Sequence, residues 1–387
     1  MEYRMPDYYN EFECIAGDCP CTCCSGWGVY IDDRTYEKYK DCDADRKEYI
    51  MKHVDDDEQC FKICDGRCSF LNDDKLCDLI IREGESMLCD TCRRYPRHFE
   101  IYGNQIEAAL SMSCPVVARM IIDRKRVDKF KVRSTDKKTN TAKEFDKRLL
   151  SILMEVRKDI FAIAKDRTKR IDQRMRDILF VTGRVQEVIY KYEKMPVKVP
   201  ILADKLLKQA TEFSKICPKS TTTTNALSNR YHLMKEYLDM LLGLEMINDE
   251  WPALVNDIVE ILYTGCTEEQ YIQAAKQYEE FLADYEYEYE HILVYFLYTY
   301  FLGGVYDGNI IGMVKMSIFS TMFIREMSLA DFYRNRKKRK KQTVDKRIEH
   351  AYLYSRQIEH SDENLLSLEG IFTAHPLCSV DKMASIL

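Results

Sequence analysis

Cysteine is the residue best placed to do chemistry in this 387-residue chain, and its distribution is uneven. Thirteen of the sixteen cysteines precede residue 115. Five of them fall within eleven residues: Cys14, Cys19, Cys21, Cys23 and Cys24. Such a density is typical of a disulfide scaffold or of a metal site. We therefore expect the first third of the chain to be organised by sulfur chemistry.

The redox compartment separates these two interpretations. The sequence does not open with a basic segment followed by an apolar core, so no secretory signal is predicted. A reducing cytoplasm disfavours disulfides, and cysteine patterns there more often mark metal binding or catalysis. We expect a cytoplasmic protein whose cysteines bind a metal or a cluster. Disulfides and ordinary buried thiols are the alternatives.

The spacing of the cysteines bears on which metal they bind. Neighbouring side chains such as Cys23 and Cys24 point to opposite faces of an extended chain, or lie about 100° apart on a helix. They are therefore expected to bind different metal atoms or different corners of a cluster. A zinc ribbon normally has two Cys-x2-Cys pairs. Cys89–Cys92 has this spacing, whereas Cys21–Cys24 has it with a further cysteine, Cys23, inside the pair. Iron–sulfur clusters accept more varied spacing, so the pattern favours a cluster, with zinc as the alternative.

Charge limits the partners of this region. Residues 1–120 carry 15 basic and 25 acidic side chains, a net charge of −10, whereas the rest of the chain has a net charge of +4. Ligating thiolates add further negative charge. Nucleic acid is therefore excluded as an expected partner of the cysteine-rich region.

Hydrophobic periodicity divides the chain into regions. Residues 1–122 show little sustained helical period, apart from Thr35–His53 and Ala108–Ile122. Residues 123–146 are polar and predict a linker or exposed crossing. Residues 147–387 are helical in pattern, and 14 glycines in the whole chain argue against a glycine-rich nucleotide-binding sheet. The predicted fold class is mainly α, with an irregular cysteine-rich region followed by an all-helical region.

Specific helices follow from the same periodicity. An apolar stripe begins at Leu149 and continues to Ile163. Further helices are predicted over Ile171–Tyr192, Tyr231–Met246, Ala253–Tyr263, Glu268–Tyr289, His291–Phe301, Ile310–Met327 and Val344–Glu359. The acidic and aromatic segment Asp284–Glu290 is expected to be the exposed end of a helix.

One apolar stretch raises the question of a membrane span. His291–Tyr306 is too short for the ~20 residues that a spanning helix needs, and it contains four tyrosines. It ends in Gly303 and Gly304. No membrane span is predicted, and two buried helices that meet at a glycine-rich turn are expected instead.

Several short motifs in the cysteine-rich region resemble a known family. They are Phe12–Ile15, Cys19, Thr22–Trp27, Ile31–Asp32, Cys68–Leu71, Leu76–Cys77, Thr91–Arg97 and Ser113–Pro115. This pattern resembles the flagellin lysine-N-methylases of the FliB type, within a broader group of zinc- or iron-chelating cysteine-cluster proteins. The resemblance is dense over residues 1–122 and beyond them rests on length and helical character.

The resemblance implies a function and a ligand set. It implies a 4Fe-4S iron–sulfur cluster, S-adenosylmethionine as methyl donor and flagellin lysines as substrate. The implied metal ligands are Cys14, Cys19, Cys23, Cys24, Cys68, Cys77, Cys92 and Cys114. The family pattern does not include Cys21, Cys42, Cys60, Cys64 and Cys89, and of these Cys21 and Cys89 lie close enough in sequence to substitute for a ligand. Eight ligands allow two four-cysteine sites or one cluster with spare thiols.

Lysine methylation sets chemical requirements that the chain must meet. The amine must be neutral to attack, although free lysine has a pKa near ~10.4, so desolvation or a base is needed. Tyr95 and Arg97 are the candidate catalytic residues, because they follow Cys92 closely. No glycine-rich loop follows a predicted strand, so S-adenosylmethionine is expected in a non-standard pocket between the two regions or on the cluster.

Two further observations concern the mechanism and its rivals. The series Cys60, Cys64 and Cys68 differs by one residue from the three-cysteine loop of radical enzymes, and a nitrogen nucleophile needs no radical. Direct methyl transfer is therefore expected, with a cluster that is structural or positions the donor. The alternatives are a non-enzymatic metal- or cluster-binding protein and a helical adaptor with a structural cluster.

Overall fold

The computed structural model describes residues 1–135, 144–195, 200–216, 225–248, 250–336 and 342–387, without the side chains of residues 200 and 201. It confirms the predicted fold class. The N-terminal region combines short strands, short helices and irregular cysteine-rich segments, and the remainder is helical.

Within the described residues, the strands all lie before residue 135. In chain order they are β1 (Glu2–Pro6), β2 (Val54–Asp55), β3 (Cys60–Phe61), β4 (Ile63–Cys64), β5 (Arg67–Cys68), β6 (Arg97–Tyr102), β7 (Gln105–Leu110) and β8 (Phe130–Ser134).

The α-helices become longer along the chain. The N-terminal ones are α1 (Asp33–Lys40), α2 (Ala44–Met51), α3 (Asp78–Glu83), α4 (Asp90–Arg94) and α5 (Pro115–Ile122). Those of the helical region are α6 (Lys147–Ala164), α7 (Ile171–Glu193), α8 (Pro200–Ser214), α9 (Ala226–Leu242), α10 (Trp251–Val259), α11 (Glu268–Leu282), α12 (Glu286–Tyr300), α13 (Ile310–Asn335), α14 (Val344–Glu359), α15 (Asp362–Ala374) and α16 (Val380–Ser385).

A four-stranded sheet in the order β6-β7-β1-β8 is the largest β-structure among the described residues. β6 and β7 form a hairpin whose turn contains Gly103 at φ 62°, a left-handed conformation that favours glycine. β1 runs parallel to β7 and antiparallel to β8, so Glu2 pairs with both Gln105 and Ser134. The sequence pattern did not predict this sheet, because its strands are short and β1 is distant in sequence from its partners β7 and β8.

Two expectations for the N-terminal region are corrected. Thr35–His53 forms two helices, because the side chain of Asp43 accepts a hydrogen bond from the amide of Arg46 (3.1 Å) and caps α2. Within Ala108–Ile122 the first residues belong to strand β7, and the helix begins at Pro115. Proline at the first helical position has no amide that needs a partner there.

Burial divides the apolar residues into two cores. The larger core includes residues from all of the helical region together with Met5, Tyr102 and Ile121. The smaller core lies between Val29 and Cys89 and contains only residues of the cysteine-rich region. The predicted boundary at residue 122 stays a prediction, but residues on both sides of it share the larger core.

Most of the long helices were predicted correctly from the apolar periodicity. Leu149, Leu153, Val156 and Ile160 on α6 are fully buried, as the apolar stripe predicted. Val344–Glu359 matches α14. The segment 196–199 and the threonine-rich segment 217–224, which includes Cys217, lie outside the described residues.

The expectation for Asp284–Glu290 was wrong. This segment begins α12, and Glu288 and Glu290 are 1% and 0% exposed. Glu290 accepts hydrogen bonds from Arg174 (2.7 Å) and Arg167 (2.9 Å). These guanidinium partners replace water, which allows carboxylates to lie in a protein interior.

The apolar stretch behaves as predicted. α12 is followed by a 3₁₀ turn over Phe301–Val305, which contains both glycines, and α13 begins at Ile310. Both helices are buried in the larger core. Within the described residues, no helix combines the length and the apolar character needed to cross a membrane.

Candidate functional site

A cavity lies where the cysteine-rich region meets the helical region. It has a volume of about 620 Å³, within the range of small-molecule sites. One wall is formed by α4 and β6 with the segment between them, and the other by residues of α12, α14 and α15. Trp27 from the cysteine-rich loop also contributes. The cavity is therefore built from both parts of the chain.

A carboxyl group with two phenol partners lines this cavity. Oε1 of Glu359 accepts hydrogen bonds from the hydroxyls of Tyr295 (2.7 Å) and Tyr300 (2.6 Å). Its other oxygen, Oε2, is buried without a hydrogen-bond partner. The two tyrosines project from α12, whereas Glu359 is the last residue of α14. One carboxyl oxygen is therefore buried with its hydrogen-bonding capacity unused.

The surroundings of Glu359 adjust its acidity. Burial raises the pKa of Glu359 from its ordinary value of 4.5 to about 7, although the hydrogen bonds from both tyrosines and the nearby His98 oppose the rise. The end of a helix carries partial negative charge, which also disfavours a carboxylate at this position. A carboxyl group with a pKa near neutrality can accept and release a proton, as a general base must.

Aromatic rings form a second part of the wall. Trp27 stacks on His360 with ring centroids 4.4 Å apart, and Tyr95 lies 6.0 Å from both rings. Burial and, to a smaller extent, the charge of Arg356 lower the pKa of His360 to about 3, so the imidazole is neutral. Aromatic faces attract cations such as ammonium and sulfonium groups. This wall therefore suits a positively charged ligand.

Both predicted catalytic residues line the cavity. The hydroxyl of Tyr95 lies 3.0 Å from the hydroxyl of Ser113, and burial raises the pKa of Tyr95, so the phenol is protonated at neutral pH. Arg97 places its guanidinium 5.2 Å from the ring centroid of Phe12. Their catalytic roles stay predictions.

The predicted metal ligands fall into two neighbouring groups. We call Cys14, Cys19, Cys21, Cys23 and Cys114 the outer thiol group. Burial raises the pKa of Cys114 to about 11, and repulsion from Cys19 and Cys14 contributes to the rise. A hydrogen bond with Cys24 and burial raise the pKa of Cys23, and the charge of Cys14 adds to the rise. These thiols are therefore close enough to disfavour each other's ionisation.

We call Cys24, Cys68, Cys77, Cys89 and Cys92 the inner thiol group, and all five belong to the smaller core or pack against it. Burial raises the pKa of Cys68 to about 12, and the charges of Cys24 and Cys77 add to the rise. A hydrogen bond between the two thiols lowers the pKa of Cys89 and raises that of Cys92. Buried neighbouring thiolates need positive charge to offset their repulsion.

The adjacent Cys23 and Cys24 join the two groups. Cys23 neighbours Cys14, whereas Cys24 affects the pKa of Cys68, Cys77 and Cys92. The residue types and their neighbourhood suit a thiolate-ligated metal or cluster. Among the described residues, however, no three metal-binding side chains already converge on a point that would hold an ion. The ligand set therefore stays a prediction.

Of the five cysteines outside the family pattern, two lie with the thiol groups and three lie elsewhere. Cys21 lies with the outer group and Cys89 with the inner group, as their sequence positions suggested. Cys42 donates to the carbonyl of Lys38 (3.3 Å), and Cys64 is exposed on strand β4. Cys60 is paired in the β2–β3 ladder. All cysteines that the structure describes are free thiols.

Arg356 of α14 connects the helical region to the outer thiol group. Its guanidinium donates to Sγ of Cys21 and to the carbonyl of Thr22. Burial raises the pKa of Cys19, and the charge of Arg356 opposes this rise. A hydrogen bond with Cys23 lowers the pKa of Cys24, and the charge of Arg356 contributes to this lowering. Arg356 and Glu359 are three residues apart on one helix, so the same helix contacts the cysteine-rich loop and carries the carboxyl of the cavity.

The sequence alone did not reveal Glu359, Tyr295, Tyr300 or His360. The chain has 26 tyrosines, so tyrosine content localised nothing. A weak signal was available in Glu359, because a glutamate at the end of a predicted helix opposes the helix dipole. Its partners lie about sixty residues away in sequence, and only the packing of α12 against α14 brings them together.

Comparison with known proteins now identifies the family. Residues 157–386, more than half of the chain, match the family model described as the FliB lysine N-methylase C-terminal domain. The chain belongs to this family. The match confirms the FliB-type assignment and the class of enzyme expected from it, a protein-lysine methyltransferase. Membership of the broader cysteine-cluster group stays a prediction.

Named relatives match a shorter part. The flagellar biosynthetic protein FliU of Salmonella muenchen is 29% identical over 127 residues, which cover 30% of this chain and 75% of that protein. Lysine-N-methylases of Salmonella typhimurium and Salmonella choleraesuis are 29% identical over 127 residues, which cover 30% of this chain and 32% of each relative. The chain thus covers about a third of the length of these two enzymes. No solved structure matches it significantly.

Proposed function

We propose that this chain methylates lysine side chains of flagellin with S-adenosylmethionine as donor, at the cavity that contains Glu359. The observation that carries the proposal is the carboxyl group of Glu359, held by Tyr295 and Tyr300 beside an aromatic wall. The family membership supports lysine as the methylated residue. The flagellar relative supports flagellin as the substrate.

The requirements of the reaction match the residues of the cavity. Methylation replaces an N–H bond of the lysine by an N–CH₃ bond, so the ammonium group must lose a proton before it can attack. Glu359 receives this proton on Oε2, the oxygen that has no partner in the protein. Tyr295 and Tyr300 keep the carboxyl in place through Oε1. The positions and the pKa of Glu359 suit a general base.

The aromatic wall orients the charged reactants. Trp27 and Tyr95 present ring surfaces that attract a cation before the proton is removed. Neutral His360 adds no repulsive charge. Bound S-adenosylmethionine would supply a methyl group made electrophilic by its sulfonium sulfur.

The thiol groups are proposed to hold an iron–sulfur cluster beside this cavity. The donor residues are the eight cysteines implied by the family resemblance, with Cys21 and Cys89 near enough to take part. A cluster bound there would supply positive charge to offset the thiolates and would order the cysteine-rich loop. Trp27 donates to the carbonyl of Cys23 (2.8 Å), so order in this loop also positions one wall of the cavity.

Product analysis tests the proposed function. The anaerobically purified protein is incubated with S-adenosylmethionine and flagellin, with and without a strong reductant. We expect S-adenosylhomocysteine and methyl-lysine in equal amounts and no need for reductant, because a neutral amine is already a nucleophile.

The other outcomes distinguish the rivals. Formation of 5′-deoxyadenosine that depends on reductant would overturn direct transfer and assign catalysis to the cluster. Absence of both S-adenosylmethionine binding and turnover would favour the non-enzymatic cluster-binding protein or the adaptor.

A further inference from the structure

We infer that the free edge of strand β6 binds an extended segment of the protein substrate as an additional strand, so that its lysine enters the cavity. The inference rests on the proposed function. It adds that the substrate binds in an extended conformation, which the proposed function does not specify. The observation behind it is that one wall of the cavity is a sheet edge.

The position of β6 provides the first argument. β6 is the outermost strand of the sheet and pairs with β7 on one side only. Residues 97 to 100 all line the cavity, although successive side chains of a strand point to opposite faces. A cavity that touches consecutive residues of a strand is lined by its edge, where the backbone amides and carbonyls need partners.

The composition of β6 provides the second argument. Natural edge strands are usually protected by charged side chains, proline or a bulge. β6 pairs with β7 residue by residue without a bulge and contains no proline, and its charged residues are Arg97 and Glu100. Phe99 and Ile101 are 36% and 37% exposed. The opposite edge, β8, carries Lys131 and is not part of the cavity.

Charge provides the third argument for this occupant. The cavity is lined by four acidic residues, Asp90, Glu100, Glu359 and Asp362, and by two arginines, Arg94 and Arg97. The excess of acidic residues favours a segment that carries a lysine over one that carries an acidic residue. Addition of a strand to a sheet edge gives affinity through the main chain and specificity through alternate side chains. Here the pocket that selects the side chain is the cavity itself.

Backbone-methylated peptides test the inference. The probe is a fluorescent peptide of about twelve residues with one central lysine between threonine and valine residues. A series of this peptide carries a single N-methyl group on successive backbone amides. An added strand bonds to the edge through alternate residues only. We therefore expect Kd to rise about three- to tenfold for every second position and to stay within about twofold for the positions between.

Binding and turnover are measured in parallel on the same peptides. Equal effects at neighbouring positions, or no binding of the unmodified peptide, would overturn the inference. If the peptide is methylated but the effect of backbone N-methylation on Kd does not alternate along the peptide, the proposed function stands. In that case the substrate does not bind to the edge of β6. Alternation in Kd without methyl transfer would support the docking edge and contradict the proposed activity.

Discussion

At the scale of single residues, the decisive group is Glu359. Its two tyrosine partners occupy one oxygen, and burial keeps the carboxyl protonated about half of the time near neutral pH. This state is suited to accept a proton from a lysine, whereas an ordinary glutamate is a much weaker base.

The first prediction concerns the pH dependence of catalysis. kcat/KM for flagellin should rise between pH 6 and pH 8 with a midpoint near 7, because Glu359 must be ionised to act as base. Glu359→Gln keeps an acceptor for both tyrosines but should lower kcat/KM about 10²- to 10⁴-fold. Initial rates over this pH range provide the measurement.

A matched control is available on α15. The pKa of Glu369 is also raised to about 7, by burial and by its hydrogen-bonded neighbour Asp307, but Glu369 does not line the cavity. Glu369→Gln should leave the pH profile unchanged. If both variants shift the profile alike, the midpoint does not belong to Glu359.

The second prediction concerns stability. The folded-state pKa of Glu359 is raised, so the native state holds its proton more tightly than the unfolded state between pH 4.5 and pH 7. This group therefore lowers the free energy of unfolding as pH rises, by about 3 kcal/mol above pH 7. Urea unfolding should show Glu359→Gln to be more stable than the natural protein at pH 8 and similar to it at pH 4.5. Equal differences at both pH values would contradict the burial of this charge.

At the scale of elements, helix α14 links the parts of the molecule. Arg356 contacts the cysteine-rich loop, Glu359 lines the cavity, and Arg347 near its start binds Glu288 of α12 through contacts of 2.5 and 2.7 Å. The position of α14 therefore determines the distance between the carboxyl of Glu359 and the tyrosines of α12.

The third prediction tests how α14 is anchored. Arg347→Met should lower the free energy of unfolding by about 3–5 kcal/mol, because it leaves the carboxylate of Glu288 buried and unpaired. Asp345→Asn breaks the ion pair between Asp345, which is 68% exposed, and Arg119, which is 50% exposed. This change should lower the free energy of unfolding by less than about 1 kcal/mol. Denaturant titration of both variants compares them. Similar losses would show that burial does not determine the strength of these pairs.

The success of sequence analysis also differs between elements. Long amphipathic helices such as α6 and α14 were predictable, because their apolar residues repeat at the spacing of a helix turn. The sheet was not, because β1 and β8 become recognisable only when paired across more than a hundred residues. The thiols were visible as a group, but their division into outer and inner groups depends on tertiary structure.

At the scale of the whole molecule, the thiol groups and the cavity are adjacent. Trp27 lines the cavity, and its indole is bonded to the carbonyl of Cys23. The loss of metal should therefore disturb the aromatic wall as well as the smaller core.

The fourth prediction concerns metal content. Anaerobically purified protein should contain iron and acid-labile sulfide, and Cys23→Ala or Cys92→Ala should lose both, because ligation contributes folding free energy to such modules. Cys378→Ala, in the larger core, should retain the metal. Iron, sulfide and zinc analysis provides the measurement. Stoichiometric zinc without sulfide would rule out the cluster, and equal metal loss from all three variants would contradict the assignment of the thiols.

The pairing of Glu2 with Ser134 has a consequence for synthesis on the ribosome. The sheet cannot close until residue 134 has left the ribosome, whereas the smaller core and the residues packed against it end at Cys92. Long-range pairing of this kind forms late, because a large loop must close first. We expect the nascent chain to capture its metal before the cavity exists, so that metal supply during translation determines how much enzyme matures.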